Sequence, residues 1–100
     1  MAIVTIALCG GCAWVNLSPK GESVRVVSPT AVLKCKELGK TGANVPDRIA
    51  GIYRNYETME TELAILGRNS AAQMGGDTIV PVSEIVNGEQ TFGVYRCINP

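Results

Sequence analysis

The sequence predicts a small α+β domain, in which one main helix packs on one face of a ββαββ sheet that a disulfide ties together. One long helical segment lies between two pairs of strand-like segments, and an Asn-Gly turn joins the second pair. The chain has 100 residues and therefore allows one domain at most. Its two later cysteines, Cys35 and Cys97, fall in the second and last predicted strands. Each element follows from a local pattern.

Two strands are predicted before the helix. Residues 23–28 are rich in β-branched side chains that partly alternate with polar ones, and Pro29 ends this first strand. The second strand extends from Val32 to about Thr41 and contains Cys35.

The segment from Gly42 to about Asn55 is the least determined part of the chain. Its Gly, Asn, Pro and Asp content is typical of a loop. A short helix is the alternative, because four apolar or aromatic residues fall at helical spacing: Ile49, Ile52, Tyr53 and Tyr56.

The main helix is predicted from about Glu57 to Met74. Asn55 or Thr58 can cap its start, and Gly75-Gly76 provides the positive φ that ends a helix. Gly67 in its middle suggests a close approach to the sheet. The predicted buried side is Met59, Leu63, Leu66, Ser70 and Met74.

Two further strands follow the helix. The third is predicted over residues 77–86, and Pro81 places it at a sheet edge or in a bulge because proline cannot donate to a ladder. Asn87-Gly88 is a strong type I′ hairpin signal, so the last strand returns over residues 90–98.

The N-terminus carries a short hydrophobic run over residues 2–8, followed by Gly10-Gly11 and then Cys12. Small residues after an apolar run suit a signal peptidase, and a cysteine in this place makes the pattern similar to the lipobox of bacterial lipoproteins. The resemblance implies a signal peptide over residues 1–11, lipidation at Cys12, a tether over residues 12–22 and a domain over residues 23–100. A start further upstream would explain the absence of Lys and Arg from the run.

Two alternatives remain for the N-terminus. Ile3, Val4 and Ile6 also suit a buried strand in an unprocessed, soluble structural domain. Cys9 and Cys12 have the Cys-x-x-Cys spacing of a thiol redox site.

The cysteine count agrees with export. Cleavage removes Cys9 and lipidation occupies Cys12, so Cys35 and Cys97 remain as a pair in a compartment where disulfides persist. The alternatives are a four-thiolate zinc site or two free thiols. Zinc sites usually pair closely spaced cysteines at both ends, and here only Cys9 and Cys12 are close.

The amino-acid composition argues against several classes of function. Nine basic and nine acidic residues give no net charge, which argues against a nucleic-acid partner. The sequence contains no histidine, the commonest general base and metal ligand. We therefore predict no catalytic residues, no metal and no cofactor.

Arg68-Asn69 is the candidate binding spot, because Arg68 offers five donors to a carboxylate or phosphate. The alternative is that Arg68 is solvated or paired with an acid and that Asn69 bonds to neighbouring backbone. Tyr53, Tyr56 and Tyr95 either line a ligand groove or belong to the core.

Several motifs in order resemble an uncharacterised family of small proteobacterial lipoproteins, and more distantly the outer-membrane lipoprotein that senses stress for the Rcs phosphorelay. The motifs are Trp14-Val15, Gly21-x-x-Val24-x-Val26, Cys35-x-x-Leu38-Gly39, Arg68-Asn69-x-Ala71-Ala72-x-x-Gly75-Gly76-Asp77 and Val94-Tyr95-x-Cys97. The resemblance implies attachment to the periplasmic face of the outer membrane, for which Ala13, a residue other than aspartate, is the cue. The expected function is a membrane-anchored binding or envelope-sensing domain, with the lipid bilayer and an envelope protein as partners.

Overall fold

The computed structural model describes residues 16–98 and contains one α-helix, α1, over Tyr56–Gln73. Short 3-10 helices occur at Gly21–Ser23 and Pro29–Val32. The strands are β1 Arg25–Val26, β2 Lys36–Asn44, β3 Arg48–Ile49, β4 Ile52–Tyr53, β5 Thr78–Pro81 and β6 Glu89–Arg96. Within the described residues, no helix has both the length and the apolar character needed to cross a bilayer.

Four of the strands form one mixed sheet in the order β1-β5-β6-β2. Strand β1 pairs with β5 in parallel, and the other two pairings are antiparallel. Helix α1 packs on this sheet. The predicted α+β class is therefore confirmed, with one helix on a four-stranded sheet and a Cys35–Cys97 disulfide.

Helix α1 begins where the sequence predicts. The Asn55 side chain accepts a hydrogen bond of 3.0 Å from the backbone N–H of Thr58, which satisfies one of the free donors of the first turn. Gly75, at a φ of +84°, ends the helix in the left-handed conformation that glycine adopts at low cost.

The buried side of the helix differs in part from the predicted one. Its buried residues follow a spacing of four: Met59, Leu63, Gly67 and Ala71. Met59 and Leu63 are buried, as predicted. Met74 was also predicted to be buried but is 38% exposed, so the buried residues follow a different line along the helix.

Gly67 lets the helix approach the sheet closely, as predicted. A Cβ atom on Gly67 would lie 2.8 Å from Cδ1 of Phe92 and 3.2 Å from Cδ1 of Ile79. These two side chains are almost fully buried and belong to the core between helix and sheet.

The prediction that Pro81 lies in an edge or bulged strand is wrong. Strand β5 lies inside the sheet, between β1 and β6. Pro81 is its last residue, and β1 pairs only with Thr78 and Ile79. The missing N–H therefore falls beyond the part of β5 that has a neighbour on both sides.

A helix does not form between residues 42 and 55. Strand β2 continues to Asn44, and β3 and β4 then form a two-stranded hairpin. Ala50 and Gly51 have φ values of +54° and +81°, the positive values that a type I′ turn requires. Ile52 is 72% exposed, so the helical spacing of the apolar residues has no core to cover.

The second strand also begins later than predicted. Residues 29–32 form a 3-10 helix, and β2 starts at Lys36. Cys35 thus lies one residue before β2, and Cys97 lies one residue after β6, outside the strands that were expected to contain them.

The predicted Asn87-Gly88 turn is confirmed, with φ values of +54° and +75°. Val86 and Glu89 exchange backbone hydrogen bonds of 3.0 and 2.9 Å across it.

Candidate functional site

The sequence-predicted pair Arg68 and Asn69 holds the N-terminal segment of the described chain against α1. The guanidinium of Arg68 donates to the carbonyl oxygens of Val24 and Glu22, at 2.7 and 3.2 Å. Both side chains are partly buried.

Asn69 uses both ends of its amide on the same segment. Its Oδ1 accepts from the backbone N–H of Ser18, and its Nδ2 donates to the carbonyl oxygen of Asn16, each at 2.8 Å. Gly21 lies so close that a Cβ there would collide with Asn69 Oδ1. Residues 16–22, which the sequence assigned to a tether, are therefore packed on the domain.

A small cavity of about 440 Å³ opens beside this attachment. It is lined by Ser18, Pro19, Lys20, Asn69, Ala72 and Gln73. Lys20 is the one charged residue of this lining, and Asn69 is already bonded to backbone, so the cavity offers few polar groups to a ligand.

The disulfide lies at the C-terminal end of β6. Cys35 and Cys97 are bonded, with their Cα atoms 4.5 Å apart and a sequence separation of 62. This pairing leaves neither thiol free for zinc or for a nucleophilic reaction. The bridge ties edge strand β2 to its neighbour β6 at the end of the sheet where β2 begins and β6 ends.

The carboxylate of Asp77 fixes the chain that follows the disulfide. It accepts hydrogen bonds from the backbone N–H of Cys97 at 2.8 Å and of Ile98 at 3.0 Å, and another from the Thr78 hydroxyl at 2.9 Å. Burial acts to raise the pKa of Asp77, but the hydrogen bonds outweigh it and lower the pKa below its ordinary value. The sequence places Asp77 at the start of the third predicted strand and indicates no role for its carboxylate.

A broader, open cleft of about 730 Å³ lies beside the start of β6. Its lining is Gly42, Ala43, Asn44, Ser83, Glu84, Val86, Asn87, Glu89, Gln90 and Thr91. Glu84 and Glu89 are its two charged residues, and both are exposed to solvent. Among residues 16–98, no cluster of three or more His, Cys, Asp or Glu side chains is arranged to hold a metal ion.

The β3–β4 hairpin is the feature that sequence reasoning missed. Ile52 and Tyr53 are each 72% exposed, and the guanidinium of Arg48 lies 5.3 Å from the centre of the Tyr53 ring. Such a contact is a weak cation–π attraction at an exposed site. The Ala50-Gly51 dipeptide was the available signal, since Gly commonly takes the second position of a type I′ turn.

Arg54 attaches this hairpin to the rest of the domain. Its Nη2 bonds to Oε2 of Glu62 at 2.8 Å, and its Nη1 donates to the carbonyl oxygen of Pro46 at 3.0 Å. The hydrogen bond to Glu62 raises the pKa of Arg54 above its ordinary value, against the opposing effect of burial.

The three tyrosines do not act as one group. Tyr53 and Tyr56 are exposed at the hairpin and at the helix start, so they are not core residues. Tyr95 lies in β6, and its ring lies beside Gly93, where a Cβ atom would be 3.1 Å from Cε1 of the ring.

The predicted lipidation site Cys12, and Cys9 with it, lie outside the described residues.

Comparison with known proteins gives one result. A family model for a domain of unknown function, DUF4156, matches residues 15–97. Neither curated proteins nor solved structures contain a significant match. The match spans the sheet, the helix and both disulfide cysteines, and the chain belongs to the DUF4156 family.

Proposed function

We propose that this chain is a lipid-anchored domain of the bacterial cell envelope, which is attached to the bilayer through Cys12 and binds a partner there. The observation that supports it best is the attachment of residues 16–24 to α1 by Arg68 and Asn69. The packed domain begins only four residues after Cys12, so a lipid on Cys12 would keep it at the membrane surface.

The disulfide supports the same proposal. Structural disulfides persist in oxidising compartments such as the periplasm and are rare in the cytosol. The Cys35–Cys97 bridge also leaves Cys12 outside the pairing within the domain, at the end of an apolar run that suits a lipoprotein signal.

Metabolic labelling with an alkyne analogue of palmitate tests the anchor. The full-length protein should incorporate the label and partition into detergent, and Cys12→Ser should abolish both. Cys9→Leu is the matched control, because it removes the neighbouring thiol, places the residue that lipoboxes usually carry at this position and leaves Cys12 in place, so it should keep the label. Equal labelling of the Cys12→Ser variant would contradict the proposal.

The proposed location is the periplasmic face of the outer membrane. The reason is the lipoprotein resemblance, in which a residue other than aspartate after the lipidated cysteine directs export to that membrane. Ala13→Asp should shift the protein to the inner-membrane fraction in a density gradient, whereas Ala13→Ser should leave it in the outer-membrane fraction. An unchanged distribution of Ala13→Asp would rule out sorting by this position.

A binding or sensing role is supported by the exposed hairpin. Exposed apolar side chains that lie together commonly mark an interaction site, and Ile49 and Ile52 form such a cross-strand pair. Cross-linking from a photoreactive amino acid at position 53, in the hairpin, tests this role in intact envelopes, with position 30 as the exposed control. Adducts from both positions alike would show no specific binding surface at the hairpin.

A further inference from the structure

The tip of the β3–β4 hairpin is an uncharged apolar finger. Its four residues, Ile49 to Ile52, are all exposed, and Ile49 and Ile52 lie opposite each other as a cross-strand pair. The exposed fractions of these two isoleucines are 49% and 72%. A hairpin that belonged to the core would bury at least one of its two faces, and this one buries neither.

The base of the finger is bonded to the domain although its tip is exposed. Arg54 bonds to the Pro46 carbonyl and to Glu62, and its own N–H donates to the Asp47 carbonyl at 2.9 Å. The fold therefore presents the two isoleucines to the surroundings instead of folding them back onto the sheet.

Polarity increases in steps from the tip to the base. The aliphatic tip is followed by the Arg48–Tyr53 pair, and then by the Arg54–Glu62 ion pair. A bilayer interface accepts groups in this order, because aliphatic side chains enter the acyl region while tyrosine and arginine stay at headgroup level.

The hairpin and the N-terminal segment are attached to the same side of α1. Glu62 holds the hairpin, Asn69 holds Asn16, and seven residues separate Glu62 from Asn69. Seven residues are about two helical turns, so the two attachment points share a face and lie about 10 Å apart along the axis.

The chain between the domain and the proposed anchor is short. Four residue steps separate Asn16 from Cys12, and an extended chain of that length reaches about 14 Å at most. A bilayer that holds the Cys12 lipid is thus near the side of the helix from which the hairpin projects. From this geometry we propose that the β3–β4 hairpin inserts its apolar tip into the interface of the lipid bilayer. The proposal rests on the proposed lipidation of Cys12.

Fluorescence quenching by lipid tests this insertion. Trp14, the only tryptophan, is replaced by Phe, and Tyr53→Trp supplies a probe at the hairpin. The full-length protein is purified from membranes and reconstituted into phosphatidylethanolamine–phosphatidylglycerol vesicles with brominated acyl chains. Leu33→Trp is the matched control, because Leu33 is apolar, 80% exposed and outside the hairpin.

We expect brominated lipid to quench the tryptophan at position 53 and to shift its emission to the blue, while the tryptophan at position 33 keeps its emission. Adding Ile52→Asp should remove the quenching at position 53, because a carboxylate at the tip opposes entry into the acyl region. Adding Leu33→Asp instead should leave that quenching unchanged.

Palmitate labelling of the same preparation separates the two proposals. A labelled protein whose position 53 is unquenched overturns the insertion and leaves the anchor standing, as it would if the hairpin bound a protein. An unlabelled protein that is still quenched at position 53 overturns the anchor alone. Equal quenching at positions 53 and 33 also overturns the insertion, since it would reflect general proximity to lipid.

Discussion

Arg54 and Glu62 form an ion pair of 2.8 Å in which the two side chains are only 11% and 13% exposed. The pair joins the base of the β3–β4 hairpin to the second turn of α1. The Arg48–Asp47 contact, in contrast, has a separation of 3.9 Å and joins two neighbouring residues of the chain, so it does not attach the hairpin to the helix.

Arg54→Met should therefore weaken the fold. Removing one partner of a poorly exposed pair leaves a carboxylate without its cation, and we expect a loss of roughly 2 kcal/mol in the free energy of unfolding. Urea denaturation followed by circular dichroism measures it. Arg48→Met is the matched control and should cost less than about 1 kcal/mol, since the Arg48 side chain is 57% exposed. Equal losses would mean that the Arg54–Glu62 pair does not secure the hairpin.

Gly67→Ala should destabilise the protein although alanine is the better helix former. The new methyl group would meet Phe92 at 2.8 Å inside the core. Overpacking of this kind costs about 1 to 3 kcal/mol, and the gain in helix propensity returns about 1 kcal/mol. Gly42→Ala is the control, because a Cβ there meets nothing within 4 Å. A thermal midpoint that rises in Gly67→Ala would show that the helix does not press on the sheet at this point.

Reduction of the disulfide should lower stability by about 4 kcal/mol, the chain-entropy value for a loop of this length. The loop spans 62 residues and contains the helix and most of the sheet. Cys35→Ala combined with Cys97→Ala should match the reduced protein in urea denaturation. Thiol counting on protein that starts at residue 13, exported to the periplasm and unfolded without reductant, provides the check. Two reactive thiols per chain would contradict the bridge.

Asp77 should make stability depend on acid pH. Its folded pKa is below the unfolded value of about 3.9, so the carboxylate contributes stability that is complete above that value. The contribution is lost as pH falls from about 4 through the folded pKa, because the unfolded state binds the proton first. Asp77→Asn should be less stable at neutral pH and should show a smaller loss between pH 4 and 2. If the free energy of unfolding depends on pH in the same way for Asp77→Asn and the unaltered protein, Asp77 does not have this role.

Local signals predicted the elements whose reasons are local. The Asn55 cap, the Gly75 stop and the Asn87-Gly88 turn each depend on backbone geometry that a few neighbouring residues decide. The disulfide was predicted from the number of cysteines, and its close Cα atoms follow from the antiparallel pairing of β2 with β6.

Elements that depend on distant contacts were not predictable. Pro81 indicated an edge strand, but the short β1, from the far end of the sequence, pairs beside β5 and stops before the proline. The apolar residues from Ile49 to Tyr56 matched a helix because spacing alone does not reveal whether a core is present to cover them. For the same reason, local patterns did not predict that Arg68 and Asn69 bind residues 16–24 of the same chain.

The attachment of residues 16–24 also determines how the domain would respond to mechanical load. A force applied at Asn16, with the hairpin held, would act first on the two Asn69 hydrogen bonds, then on the Arg68 bonds to the same segment, and then on the two-residue β1–β5 pair. Extension would stop at Cys35, because the disulfide fastens that residue to the end of β6. The nineteen residues from 16 to 34 would thus extend by roughly 65 Å at most before the load reaches the disulfide.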